Sequence, residues 1–159
     1  MAYAYEKTHL TPWVCFISRL STRFVGDEMS RMGFGPGQFF LLSALYDEEG
    51  LSQDELSRRV GVDKSNTSRA IAKLEKYGLI RRERDPDNHR IKKVFLEPKA
   101  HEARKNFREI QRKWNIELLY GFTEKEKSGL FSSIRKVAAN AEAAFYQGQH
   151  PGTGEKISI

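Results

Sequence analysis

Between Val60 and Asp63 the chain has only Gly61 and Val62 in which to end one helix and begin another. Upstream, Ser52-Gln53-Asp54-Glu55 spells a capping box, in which Ser52 caps the Glu55 amide and Glu55 reaches back. It predicts a short helix that buries Leu56 and Val60, with Gly61 as the left-handed residue that closes it. Downstream, Asp63 caps a second helix whose core face is Thr67, Ala70, Ile71 and Leu74, and Gly78 ends that helix. Leu79 to Arg84 and Ile91 to Leu96 then read as two strands around the turn Asp85-Pro86-Asp87-Asn88. A helix, a tight turn, a second helix and a hairpin make a helix-turn-helix with a wing.

The flanks read as helices. Thr11-Pro12 predicts an N-cap followed by proline at the first helical position. Leu10, Trp13, Val14, Ile17, Leu20 and Phe24 recur at spacings of three and four, as an apolar stripe on a first helix that runs to about Met32. Pro36 opens a second helix with Phe39, Phe40, Leu42 and Leu45 as its core. After Glu97-Pro98 a long helix carries Ala103, Phe107, Ile110, Trp114 and Leu118, and Gly121 stops it. Thr123-Glu124-Lys125-Glu126 caps a last helix with Leu130, Ile134, Val137, Ala141 and Phe145. The fold class expected is mainly α, with α+β character from the hairpin. Residues 1–33 and 98–148 are expected to form a helical dimerisation region, with packing on the chain's own core as the competing reading, residues 34–97 a winged helix-turn-helix lobe, and residues 149–159 a flexible tail, in one continuous fold.

Charge singles out the same central block. Residues 58–93 hold twelve Lys or Arg against five Asp or Glu, a net of +7, whereas the whole chain carries +6. A focused basic block suggests an anionic partner, and a nucleic acid is the commonest. On the second helix of the pair, Lys64, Ser65, Asn66, Ser68, Arg69 and Lys73 form a polar face separate from the core face. Asn pairs with adenine, Lys or Arg with guanine, and Ser with phosphates or either base edge. A solvated polar face is the competing reading. Arg84, His89 and Arg90 mark the wing, where arginine suits a narrow, electronegative minor groove. Asp85 and Asp87 are expected to orient Arg84 or Arg90 through carboxylate–guanidinium pairs.

Four stretches in this order resemble the MarR family of winged helix-turn-helix regulators. They are Gly35-Pro36-Gly37-Gln38-Phe39; Leu51 to Leu56 with Val62-Asp63-Lys64-Ser65; Leu74 to Arg82; and the wing Asp85 to Arg90. The resemblance spans residues 10–147. It implies a homodimer in which the first and the last two helices interlock, presenting two recognition helices to double-stranded DNA at a near-palindromic operator. The wing arginine of the family falls on Arg90, and His89 stands where a further arginine is frequent. The resemblance also implies a transcriptional regulator, a repressor by promoter occupancy, and a small aromatic or phenolic effector bound near Trp13, Phe34, Phe39, Phe40 and Trp114; a cytoplasmic location is expected from the missing secretory, membrane and disulfide signals. Core packing is the competing reading for those aromatic residues.

Other functions find little in the sequence. Cys15 is the only cysteine, so neither a disulfide framework nor a thiolate metal site is expected. It is read as a buried, inert thiol, with a redox-sensing regulator as the alternative. His9, His89, His101 and His150 are scattered, and no metal or cofactor is expected. No nucleophile motif, phosphate loop or catalytic carboxylate pair suggests an enzyme. A winged helix serving only protein–protein contact is a further alternative, against which the +7 block stands. No apolar run approaches the ~18 residues of a membrane span, and the first residues lack a secretory pattern.

Overall fold

The computed structural model describes residues 9–146, and the expected tail at 149–159 lies outside them. In chain order the elements are α1 (Thr11–Ser30), α2 (Pro36–Asp47), β1 (Leu51–Ser52), α3 (Gln53–Val60), α4 (Lys64–Lys76), β2 (Ile80–Arg84), β3 (Lys92–Leu96), α5 (Pro98–Leu118) and α6 (Glu124–Tyr146). The chain divides after Asn115 into two units. The winged helix-turn-helix architecture expected from the sequence is present, in the first of them.

Local chemistry places the central boundaries as expected. The Glu55 amide donates to Ser52 Oγ at 3.3 Å, and Glu55 Oε2 accepts the Ser52 amide at 2.7 Å. Gly61 has φ of +69°, the left-handed conformation that glycine adopts without penalty. Its amide bonds back to Arg58 O, the Val62 amide bonds to Ser57 O, and Asp63 Oδ1 then accepts the Asn66 amide at 2.9 Å. Thr67, Ala70, Ile71 and Leu74 are all buried, as the spacing predicts.

Ala70, Ile71 and Leu74 join one hydrophobic cluster with Phe39, Leu42 and Leu45 of α2, Leu56 of α3, and Ile80, Val94 and Leu96 of the hairpin. Val25 and Met29 of α1 and Ala100, Phe107 and Ile110 of α5 belong to the same cluster. Tyr46 reinforces the α2–α5 junction: its hydroxyl donates to Ala100 O at 2.6 Å, and Arg104 Nη2 donates to Tyr46 O at 2.9 Å. Burial pushes the Tyr46 phenol up to about 12, although the Arg104 charge opposes the shift.

Four findings correct the sequence reading. First, Thr11 is not the N-cap of α1. Leu10 holds that position without a side-chain cap, and its carbonyl accepts the amides of Trp13 and Val14 at 3.1 Å. Second, α1 ends at Ser30, and a turn follows in which Phe34 bonds to Met29 O around Gly33 at φ +77°. Third, the sheet has three strands, ordered β1-β3-β2 and antiparallel throughout, because Leu51 pairs with Val94 and Ser52 with Lys93. Fourth, Cys15 is exposed. The core takes Val25 and Met29 from α1, while Val14, Ile17 and Leu20 remain exposed.

In the second unit, Glu126 Oε2 accepts the Thr123 amide at 2.8 Å and Thr123 Oγ1 accepts the Glu126 amide at 3.4 Å, as the capping box predicts. None of the residues of α6 is buried, and Phe131, Ile134, Val137 and Phe145 are exposed.

Candidate nucleic-acid interface

The short turn at Gly61 sets α3 against α4, and both helices commit their apolar residues to the core. What remains outward on α4 is polar apart from Ala72. Lys64, Ser65, Asn66 and Arg69 are exposed, and Ser68 and Lys73 are half-buried. The six residues named from the sequence therefore lie on the surface of one helix. Lys64, Ser65, Ser68 and Arg69 line a shallow open groove, which Gln53 of α3 completes. Gln53 Nε2 reaches Lys64 O at 3.5 Å. Sequence reasoning missed Gln53. The signal was its place at the start of α3, directly after Ser52.

The side chains on this face are held in place. The carboxylate of Asp63, at the N-cap, accepts both the backbone amide and the side-chain carboxamide N–H of Asn66, and these bonds lower the Asp63 carboxyl below its ordinary value. Arg69 Nη2 donates to Asn66 Oδ1 at 2.6 Å. The Asn66 carboxamide is thus engaged at its oxygen and at its nitrogen, so a base edge gains it only by displacing Asp63 or Arg69. Lys64 Nζ lies 2.8 Å from Asp54 of α3. Such an exposed pair adds little stability but limits where the cation points.

The wing is built differently from expectation. Asp85 and Asp87 do not pair with Arg84 or Arg90. Asp85 Oδ1 accepts the amides of Asp87 (2.8 Å) and Asn88 (3.1 Å), and Asp85 Oδ2 takes Lys93 Nζ at 2.8 Å. The Lys93 bond is the main reason the Asp85 carboxyl is held low, and Lys93 is raised in turn. Asp85 is an Asx-turn residue that shapes the loop, as its place before Pro86 permits. Asn88 Oδ1 accepts the Arg90 amide at 3.2 Å, and the Asp85 amide donates to Ile91 O at 3.0 Å. Arg84, His89 and Arg90 are exposed around this closed tip. At the wing base, Arg82 binds the Glu75 carboxylate with both Nε (3.2 Å) and Nη2, which ties the hairpin to α4.

The five aromatic residues named for an effector fall into separate groupings. Phe39 is buried and packs with Phe40 and Phe107. Phe34 packs on Tyr77, with centroids 4.9 Å apart. Trp114 stacks on Phe24 at 4.6 Å and donates to Ser21 Oγ at 2.8 Å. Trp13 lies on the exposed side of α1. Among the described residues no group of His, Cys, Asp and Glu is arranged to hold a metal ion.

A three-stranded wing packed beside two helices joined at Gly61 defines a winged helix-turn-helix protein. A family model described as "MarR family" matches residues 35–92, which takes in α2, the helix-turn-helix and the wing tip. The chain is 32% identical over 106 residues to the uncharacterized HTH-type transcriptional regulator YybA of Bacillus subtilis (strain 168), covering 67% of this chain and 71% of that protein. Among solved structures it is similar to a MarR transcriptional regulator from Methanosarcina mazei Go1. There the TM-score is 0.78 at 29% identity, over 82% of this chain and 94% of the other. A putative MarR family transcriptional regulator from Listeria monocytogenes, complexed with 26mer DNA, shares the fold with a TM-score of 0.81 at 24% identity, over 94% and 99% of the two chains. The chain belongs to the MarR family of transcriptional regulators. No described helix is long and apolar enough to cross a membrane.

Proposed function

We propose that the chain is a homodimeric, sequence-specific DNA-binding repressor that acts in the cytoplasm by occupying a promoter. The observation that carries this reading is the juxtaposition of the outward polar face of α4 with the cationic wing in one unit. In this reading Lys64, Ser65, Asn66, Ser68, Arg69 and Lys73 enter the major groove, while Arg84, His89 and Arg90 meet the flanking minor groove or its phosphates. Residues 34–97 read DNA, and residues 1–33 and 98–148 supply the dimer contact. The exposed stripe Val14, Ile17 and Leu20 on α1, and Ile134 and Val137 on α6, support that division, because apolar patches of this kind mark partner surfaces. Two copies then address half-sites about 34 Å apart. The Listeria structure with bound DNA supports the same use of the fold. The aromatic residues lie in separate groupings, so the proposal rests on DNA and not on an effector.

Fluorescence anisotropy on the DNA upstream of the chain's own gene, and on a scrambled duplex, tests the reading across a salt series. The expected result is one dimer per site, a steep salt slope and discrimination of at least ~10³-fold. Equal, weak binding to both duplexes, repeated on duplexes enriched from a random library, would overturn it.

A further inference from the structure

The hairpin sorts its cations by face. In the β2–β3 register Ile80 pairs with Leu96, Arg82 with Val94, and Arg84 with Lys92. Strand alternation puts these six on one face. Ile80, Val94 and Leu96 are buried, so this is the face turned toward the helices. Arg81, Glu83, Lys93 and Phe95 lie on the other face. There the charge is neutralised: Arg81 reaches Glu83 at 2.7 Å and Glu97 at 3.7 Å, and Lys93 reaches Asp85 at 2.8 Å. On the inner face Arg82 is bound by Glu75, but Arg84 and Lys92 have no ion pair among the described residues.

A cleft opens between this inner face and the first turns of α3. Arg58, Arg82, Arg90 and Lys92 converge on it, together with Asp54 and Glu55. Both acids are already engaged. Glu55 holds the Ser52 amide at 2.7 Å, and Asp54 holds Lys64 at 2.8 Å. Arg58, Arg90 and Lys92 have no carboxylate at ion-pair distance among the described residues; the Arg58 charge acts on Glu55, yet the four cations outnumber the two carboxylates that line the concavity. Like charges held together favour an anion between them.

We propose that this cleft is a phosphate clamp, in which Arg58 and Lys92, with Arg90, hold one phosphodiester of the DNA backbone. The inference rests on the DNA-binding reading above and adds Arg58 and Lys92 to it. A protein that places α4 in a major groove and its wing at the neighbouring minor groove must straddle the strand between them. The cleft lies between the helix-turn-helix and the wing. Guanidinium and ammonium groups suit phosphate there, and the contact carries no base information.

The test uses the full-length protein, a duplex enriched on it from a random library, and a scrambled duplex. Arg58→Gln and Lys92→Gln are expected to weaken binding to both duplexes by the same factor, roughly tenfold, leaving discrimination intact. Each lowers the magnitude of the log–log salt slope by about one to two for a dimer with two clefts. A neutral methylphosphonate scanned along the enriched duplex should weaken wild type at one linkage per half-site and leave Arg58→Gln indifferent there. Lys105→Gln, an exposed α5 variant that lowers the net charge equally, should keep the wild-type slope. Unchanged slopes in both cleft variants, or an equal change in Lys105→Gln, would overturn the clamp while wild-type selectivity keeps the DNA reading standing. Failure of wild type to select any duplex would overturn both.

Discussion

Ser57 Oγ donates a 2.9 Å hydrogen bond to Thr67 Oγ1, joining α3 to α4 inside the core. Both residues are nearly free of solvent, at 5% and 2% exposure. A buried hydroxyl left without its partner costs more than a paired one contributes. Ser57→Ala is therefore expected to destabilise the fold by ~1–3 kcal/mol, and Thr67→Val by a similar amount. The double variant should cost clearly less than the two together, because it leaves neither hydroxyl stranded. Denaturant unfolding of the four proteins measures the coupling, and strict additivity would refute it.

Acid should loosen the same region. Glu55 is held low by the Ser52 amide, Asp63 by the Asn66 amide, and Asp85 chiefly by Lys93. Glu126 is held low by the Thr123 hydroxyl. Each folded pKa lies below its unfolded value, so the folded state binds fewer protons in the carboxylate range. The stability these groups contribute is complete above about pH 4.5 and is lost as pH falls through the folded values. Melting temperature should drop steeply below that point. Asp63→Asn keeps a good cap without a titrating group, and its acid limb should be shallower than that of wild type.

Tyr46 makes the opposite prediction at high pH. Its folded pKa of about 12 exceeds the ordinary value of 10.0. The neutral phenol is favoured in the native state, so its contribution is complete below pH 10 and fades as pH rises toward 12. Ultraviolet titration should show a late tyrosine step near pH 12. Tyr46→Phe removes that late step and costs ~1 kcal/mol through the lost bond to Ala100 O. A single tyrosine transition near 10 in wild type would contradict the burial argument.

Ile17 and Ile134 test the dimer. They are 47% and 52% exposed in the single chain, and the proposed partner copy covers them. Light scattering should give about twice the 18.3 kDa chain mass for wild type. Ile17→Glu and Ile134→Glu should each move the equilibrium toward monomer, since an unpaired buried charge is costly. A wild-type monomer at micromolar concentration would rule out the interface.

Arg90 tests the wing. Arg90→Ala should weaken binding to the preferred duplex by ~1–3 kcal/mol. Unchanged affinity would remove the wing from the DNA-reading surface.

Much of this fold was legible because its signals are local. The caps at Ser52 and Asp63, the turn glycine at 61 and the stripe Thr67–Ala70–Ile71–Leu74 each depend on residues within one or two turns. What escaped depends on distant partners. β1 is two residues long, too short for any alternation, and exists only because Leu51 and Ser52 meet β3. Ser57 sits three residues before Val60, on the core side of α3, and its hydroxyl is explained only by Thr67 across the turn. Asp85 lay beside Arg84 in sequence, yet the hairpin gives it Lys93. For Cys15 the neighbouring apolar residues of α1 suggested burial, yet in the single chain that part of the helix is exposed. Helical spacing says that a face is buried against something, and does not say whether that something is the same chain.

The two faces of α4 have a longer consequence. Thr67, Ala70, Ile71 and Leu74 are spent on the interior, whereas Lys64, Ser65 and Arg69 are exposed. Under the proposed function, the positions that keep the protein folded and the positions that choose its target are separate sets on one helix. Mutation can therefore search for a new operator without risking collapse of the scaffold, and a lineage can inherit this architecture intact while its regulons diverge.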